Sequence, residues 1–426
     1  MNTWNLIQER FRARSLKSSF YRFLHLHLRY GMTPYPFQPV LENFVRFMTD
    51  YQSVPTFPVT AMTVHRHPDL FKRLQDSGTE FAIHGYRHVD YTQLEPGSMR
   101  EHIEKAIRIF RETNIHYSGF RFPFLRRNPE RSRVLSEFDF SWESSEVISW
   151  PIPETVSVDP EREGDYQQIL KTYQVVQSEN TRALPYPYQG MTEIPVSVPD
   201  DDILSERLRF GSGSIRTVWL TMLNRTHRKK EMFVMQIHPE RFHLCRPAIA
   251  SVLDRAVQLQ DVWIAPLGEI YQWWTGRMKT KYHISEKTGG EWVVQLNGPA
   301  NLGLEVLGGG RVTRGKISAG ASLCVKTGKK PVVGIQPPIT KEFIDFLTQE
   351  GYLFEEAGRH QEYAVKMNGN QFNKTFPEQF SRMIESTREP VLKLRRWPYP
   401  YESVLSVTGD IDGVDIWDYW TRFYGT

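Results

Sequence analysis

An α/β fold built on a mainly parallel sheet or barrel is what this sequence predicts, and three observations predict it. Between residues 36 and 275, short apolar runs alternate with amphipathic stretches of helical period, the pattern of consecutive βα units. His84, Arg121 and His238 each stand near the carboxyl end of an apolar run, where folds of this class carry their chemistry on loops. After about residue 280 the texture changes to short alternating β runs separated by glycine-rich turns, so a second, smaller unit follows the first.

The elements follow in order. Residues 36–52 predict a helix with Val40, Phe44 and Phe47 on one side. A strand over 54–61 comes next, then an amphipathic helix over 68–77, stopped by Gly78. The apolar run 80–83 leads directly into His84. In 100–112, Ile103, Ala106, Ile107 and Phe110 fall at i, i+3, i+4 and i+7, a helical face. Residues 119–124 are strand-like, and 232–237 have the character of a buried strand. A helix over 248–260, a strand over 262–265 and a helix over 268–275 complete this part. The runs WVVQL, LGLEVL, GKISAG and PVVGIQ over 290–335 predict a β-rich insert, and its Gly308-Gly309-Gly310 triplet is a turn without the surroundings of a phosphate loop. A helix over 341–349 and strand-like stretches at 351–355 and 363–367 follow. There are no convincing internal repeats. The organisation is 1–280 for most of the main unit, 281–395 for a smaller β-rich or α+β unit, and 396–426 for a strand and a helix over 415–424 that return to the first.

Bulk properties exclude several classes. With 53 Lys+Arg against 49 Asp+Glu, the net charge of +4 is too small to argue for nucleic acid. Basic runs such as Arg228-Lys229-Lys230 have the character of solvated surface. Two cysteines, Cys245 and Cys324, allow neither a disulfide framework nor a thiolate zinc site. Residues 1–31 lack an apolar core of signal-peptide length, and no run approaches the roughly 20 apolar residues of a membrane span. A soluble, cytoplasmic protein is the expectation. Aromatic residues reach 13 %, with 11 Trp; such rings serve cores and also sugar-binding clefts.

Four motifs could carry chemistry. In His84-Gly85-Tyr86-Arg87-His88, a helical turn would put the two imidazoles on one face, as a shared metal requires; a surface pair is the alternative. Gly119-Phe120-Arg121-Phe122-Pro123-Phe124 sets an arginine two residues before a backbone-fixing proline. Met235-Gln236-Ile237-His238-Pro239 ends an apolar strand on a histidine, which could equally be structural. Thr408-Gly409-Asp410-Ile411-Asp412 follows the apolar Val404-Leu405-Ser406-Val407, and its two carboxylates suit a metal ligand plus a general base. Alternatively, Asp412 or Asp415 caps the helix that follows. The His25/His27 and His65/His67 pairs are expected to be surface or structural.

Taken together, these residues resemble the polysaccharide deacetylase (NodB-like, carbohydrate esterase 4-like) family. FAIHGYRH looks like its H-x-x-x-H metal motif, GFRFPF like its R-x-P-[YF] groove motif, and VMQIHP like its L-x-H-P motif. TFPVTA resembles its second strand. The resemblance spans roughly residues 34–275 and implies a distorted (β/α)7 barrel. The family's T-x-D-x-D strand, which should precede TFPVTA, is missing there: His27-Leu28-Arg29-Tyr30-Gly31 holds no aspartate, and TGDID stands near the C-terminus, after Arg396-Trp397-Pro398. We read this as a circular permutation in which strand 403–409 completes the barrel as its first strand.

The resemblance implies a metal on His84, His88 and Asp412, with Asp410 as base and His238 as the acid that protonates the leaving amine. It further implies Arg121 as the residue orienting the base, the Phe124 N–H and Tyr86 at the oxyanion and substrate, and an acidic residue tuning His238. Asp200, Asp201 and Asp202 are candidates for that last role, with Asp201 taken. Two imidazoles and a carboxylate point to zinc first, with manganese, cobalt, nickel and iron open. The implied reaction removes N-acetyl groups from an amino sugar in a glycan or sugar precursor and releases acetate. Nucleic acid and membrane spans are not expected; the protein would be a monomer, or a dimer that exchanges the C-terminal strand. Two readings compete. A non-catalytic glycan-binding scaffold would hold Asp410 and Asp412 more than about 10 Å from His84, beyond a metal reach of roughly 2 Å. A hydrolase of a small amide or imide would enclose a closed pocket rather than a groove.

Overall fold

The computed structural model describes residues 36–287, 289–308, 311–316, 322–372 and 377–420. The fold is mixed α/β. Four short strands, β1 (Thr56–Val59), β2 (Glu80–Ile83), β3 (Gly119–Phe120) and β4 (Trp142–Glu143), pair parallel in sequence order. β5 (Val147–Ser149), β6 (Val176–Gln177), β7 (Tyr186–Tyr188), β8 (Met191–Glu193), β9 (Val196–Val198), β10 (Met232–Ile237) and β11 (Val262–Ile264) extend the same sheet. The sheet curls on itself. The segment 142–149 pairs with 191–198 through β4·β8 and β5·β9, and Ser197 of β9 pairs with Met235 of β10.

Between residues 281 and 394 lie three small three-stranded sheets. Their strands are β12 (Lys281–Lys287), β13 (Glu291–Asn297), β14 (Gly303–Gly308), β15 (Arg311–Lys316), β16 (Ser322–Lys326), β17 (Lys330–Gln336), β18 (Phe354–Glu356), β19 (Tyr363–Asn368) and β20 (Val391–Leu394). The orders are β12-β13-β16, β15-β14-β20 and β18-β17-β19, accompanied by helices Lys341–Glu350 and Pro377–Glu385. This region shares an apolar core with the main sheet. Trp273 and Trp274, on helix Leu267–Met278, belong to one buried cluster with Leu302, Leu304 and Leu394.

The last strand decides the architecture. β21 (Ser403–Gly409) lies between β10 and β1, parallel to both. It pairs with β10 from Met232↔Val404 to Ile237↔Gly409 and with β1 at Thr56↔Thr408, while β11 pairs with its start. All seven of its residues are buried, as a strand covered on both faces requires. Its side chains alternate. Leu405, Val407 and, beyond the strand, Ile411 join the core cluster that includes helix residues such as Phe44 and Ile249, while Val404 joins the other cluster. Ser406, Thr408, Asp410 and Asp412 share the parity of Val404, hence its face.

Several boundaries differ from the sequence reading, each for a local reason. The strand expected over 54–61 spans only Thr56–Val59, because Thr60 turns the chain into helix Ala61–Arg66. The helix expected from 100 starts at Pro96, whose fixed φ suits a first turn. The helix expected from 248 starts at Phe242 and runs through Pro247. The strand-like stretch 119–124 is a strand only at Gly119–Phe120; Pro123 breaks the ladder, and Phe124 and Leu125 adopt positive φ of 61° and 52°. β3 sits close to β4: a Cβ on Gly119 would lie 2.1 Å from the Trp142 ring, so no larger residue fits. The helix expected over 415–424 is described as Ile416–Trp420. Residues 1–31 and the His25/His27 pair lie outside the described residues. Among the described residues no helix is long and apolar enough to cross a membrane.

Candidate active site

Four loops, leaving β10, β21, β2 and β3, converge at one end of the sheet. His84 is the first residue past β2, and its N–H donates to the Val59 carbonyl at 2.9 Å. Its Nδ1 lies 2.8 Å from the Arg121 carbonyl. A carbonyl only accepts, so Nδ1 carries the hydrogen and the Nε2 lone pair is free to face inward. His88 comes beside it by a different route from the expected helical turn. Residues 84–88 form a bend without helical structure, with Gly85 at φ 82° pressed against Tyr91. The Tyr86 N–H donates to Tyr91 Oη at 2.8 Å and holds that bend. The two imidazole centroids are 5.1 Å apart.

Asp410 and Asp412 flank Ile411, which bridges to Val59 and is buried. The alternation of extended backbone turns both carboxylates to the histidine side. Asp412 Oδ1 is 3.1 Å from His88 Nε2 and 3.6 Å from His84 Nε2, and Asp410 Oδ2 is 3.9 Å from His84 Nε2. The capping alternative falls to Asp415, whose Oδ1 accepts the Asp418 N–H at 2.9 Å.

Arg121 ties these parts together. Its guanidinium is fully buried. Nη1 donates to Asp410 Oδ1 at 2.6 Å and to Thr408 Oγ1 at 2.9 Å, while Nε and Nη2 donate to the Ser144 carbonyl and hydroxyl. The same residue thus holds Asp410 through its side chain and His84 through its backbone. Gln236 Nε2 donates to the other Asp410 oxygen at 2.9 Å. Neither Ser144 nor Gln236 was singled out in the sequence; a polar residue inside the apolar run of β10 was the signal for Gln236.

His238 follows β10 beside Asp410, whose N–H donates to the Ile237 carbonyl. The three acidic candidates near it separate cleanly. Asp201 is fully buried and takes the His238 Nδ1–H at 2.8 Å and the His238 backbone N–H at 2.9 Å. Asp202 pairs with Arg241 at 2.6 Å, and Asp200 caps the Ile203 N–H. Burial alone would push the imidazole down, but the Asp201 charge and hydrogen bond outweigh it and raise His238 to about 10. Asp201 is correspondingly held below the ordinary carboxylate range despite burial, chiefly by His238. Burial, with Asp201 and Asp202 alongside, pushes Asp200 up to about 7.

Phe124 stands at the rim, 42 % exposed, its ring 4.2 Å from that of His88. Tyr86 turns toward helix Pro96–Glu112 instead, with its ring against His102 and beneath Lys105. His67 is not a lone surface residue: it lies 3.4 Å from Asp415 and 3.2 Å from Asp418. Because Arg66 pairs with the same two carboxylates, this group is an ion-paired clasp that holds helix Ile416–Trp420 against helix Ala61–Arg66.

Residues 30–141 match the family model for polysaccharide deacetylases. Over 94 residues the chain is 32 % identical to a peptidoglycan deacetylase-like protein from Gibberella zeae, covering 22 % of this chain and 25 % of the relative. The chain therefore spans about a quarter of that relative's length. Among solved structures, a protein from Mycobacterium smegmatis assigned to the polysaccharide deacetylases has a TM-score of 0.44 at 22 % identity, covering 57 % of this chain and 78 % of that chain. An allantoinase has a TM-score of 0.43 at 18 % identity, covering 56 % and 73 %.

Proposed function

We propose, on the premise that residues 30–141 carry this chain's kinship with the polysaccharide deacetylases, that the protein is a metal-dependent hydrolase that removes N-acetyl groups from an amino sugar in a glycan. The observation that carries the reading is the convergence of His84, His88 and Asp412 beside a clamped Asp410. Donor atoms about 2.1 Å from a tetrahedral zinc ion are about 3.4 Å apart, and the two imidazole-to-Asp412 separations, 3.6 and 3.1 Å, bracket that spacing. The His84 tautomer, fixed by the Arg121 carbonyl, offers the nitrogen a metal needs. These residues fit a divalent ion.

Such an ion, held by His84, His88 and Asp412, supplies the positive charge that makes water acidic and a carbonyl electrophilic. Asp410 receives the proton of the attacking water, its carboxylate held in place by Arg121. The Phe124 N–H is assigned as the donor to the developing oxyanion. His238 keeps its proton at neutral pH through Asp201 and delivers it to the departing nitrogen. Acetate and a free amino sugar result. The larger frame is a distorted (β/α)7 barrel with residues 281–395 as a smaller unit. Its circular permutation is supported by β21, which stands ahead of β1 in the sheet although it follows in sequence.

The test is metal content and acetate release from oligomers of N-acetylglucosamine. We expect about one divalent ion per chain, loss of acetate release after dialysis against a chelator, and recovery with zinc. A purified, folded protein that binds no divalent ion and releases no acetate refutes the reading. The acid carries its own prediction. Asp201→Asn removes the charge that holds the imidazolium, so the alkaline limb of the pH–rate profile should move from near pH 10 toward or below the ordinary histidine value of about 6.5. An unmoved limb would rule out His238 as the acid. Stability carries the same sign. With His238 raised to about 10 and Asp201 held low, the pair's contribution is present around pH 6.5, fades as pH climbs through about 10, and is lost again in acid once Asp201 takes a proton.

A further inference from the structure

Asp410 is gripped on both carboxylate oxygens. Arg121 holds Oδ1 and Gln236 Nε2 holds Oδ2. The second grip comes from an unexpected residue. Gln236 lies on β10, opposite Thr408 in the register and only 4 % exposed. Every other position of that strand, from Met232 to Ile237, is apolar and buried. A carboxylate only accepts, so the amide must turn its NH2 to Asp410. Its Oε1 is then buried with no hydrogen-bond partner in the protein. An apolar side chain of similar length would leave no stranded amide oxygen, but it would take this donor away from the buried Asp410 Oδ2. A locally unfavourable residue beside the chemistry is the mark of a position that serves activity before stability.

We infer that Gln236 is a positioning residue for Asp410 that fixes the rotation of the carboxylate. Arg121 alone would leave the group free to swing about Oδ1. The second donor holds Oδ2, the oxygen 3.9 Å from His84 Nε2, facing that imidazole. This inference rests on the deacetylase reading, in which Asp410 is the base.

Gln236→Leu, with Gln236→Met as an unbranched second variant, tests it on full-length protein against the N-acetylglucosamine oligomers. We expect kcat to fall roughly ten- to hundredfold, with KM and zinc content staying within about twofold of wild type. The split between kcat and KM matters, because a merely structural glutamine would leave kcat unchanged when the assay is run well below Tm. A kcat unchanged in both variants overturns the inference while wild-type acetate release keeps the deacetylase reading. Wild-type protein that releases no acetate removes that reading instead, and this inference with it.

Discussion

Asp410→Asn is expected to lower acetate release by roughly 10²–10⁴-fold while zinc content stays near wild type. The substitution keeps the shape of the side chain and removes its capacity to take a proton. Zinc should stay because the three proposed donors lie elsewhere, on His84, His88 and Asp412. The protein should also lose stability. Arg121 would keep the Ser144 and Thr408 oxygens but lose its carboxylate partner inside a fully buried site. Breaking a buried ion pair from one side costs on the order of 3–5 kcal/mol. Gln236 could relieve part of this by flipping its amide, so that Oε1 accepts from the new NH2. Urea denaturation beside the acetate assay separates the two effects. A variant that releases acetate at the wild-type rate removes Asp410 as the base.

A chain ending at residue 402 is expected to lose cooperative folding altogether. It would lack β21, and with it the six paired positions on β10, the three on β11 and the contact with β1 at Thr56↔Thr408. The facing edges of β10 and β1 would then carry unpaired backbone donors and acceptors inside a buried sheet, an arrangement folded proteins avoid. Leu405, Val407 and Ile411 would leave a hole in the principal core. Circular dichroism and a thermal melt of the truncated chain would check this. A sigmoidal melt like that of the full chain would mean that β21 is an accessory rather than a structural member.

Much of this was legible in the residues, and the gaps have physical causes. Helices Gln38–Thr49 and Pro68–Asp76 bury one apolar stripe each, which periodicity reveals. β2 matched its predicted bounds, and so did β10, because each is a compact apolar run ending on a histidine. β4, β5, β8 and β9 were not seen: two or three residues are too few to show a period. The two histidines of the motif were found by spacing, but the reason given for their proximity was wrong, since Gly85 and Tyr91 bend the chain where a helical turn was expected. Choosing among Asp200, Asp201 and Asp202 needed the register of the backbone, because composition cannot say which of three adjacent acids faces His238. The network of Arg127 with Glu143 and Glu193 was also invisible, as its members come from three distant stretches.

The position of β21 has a consequence for biosynthesis. A ribosome delivers β1, β2 and β10 in order, but the strand that must lie between β10 and β1 emerges only after the whole 281–394 region. Until then the nascent chain holds two unsatisfied edges facing a gap of one strand's width. Closure is therefore a late event, dominated by contacts remote in sequence, and such contacts form slowly. The chain is exposed to wrong strand pairing for most of its synthesis. Its dependence on chaperones should be greater than that of a barrel whose strands are made in the order in which they pack.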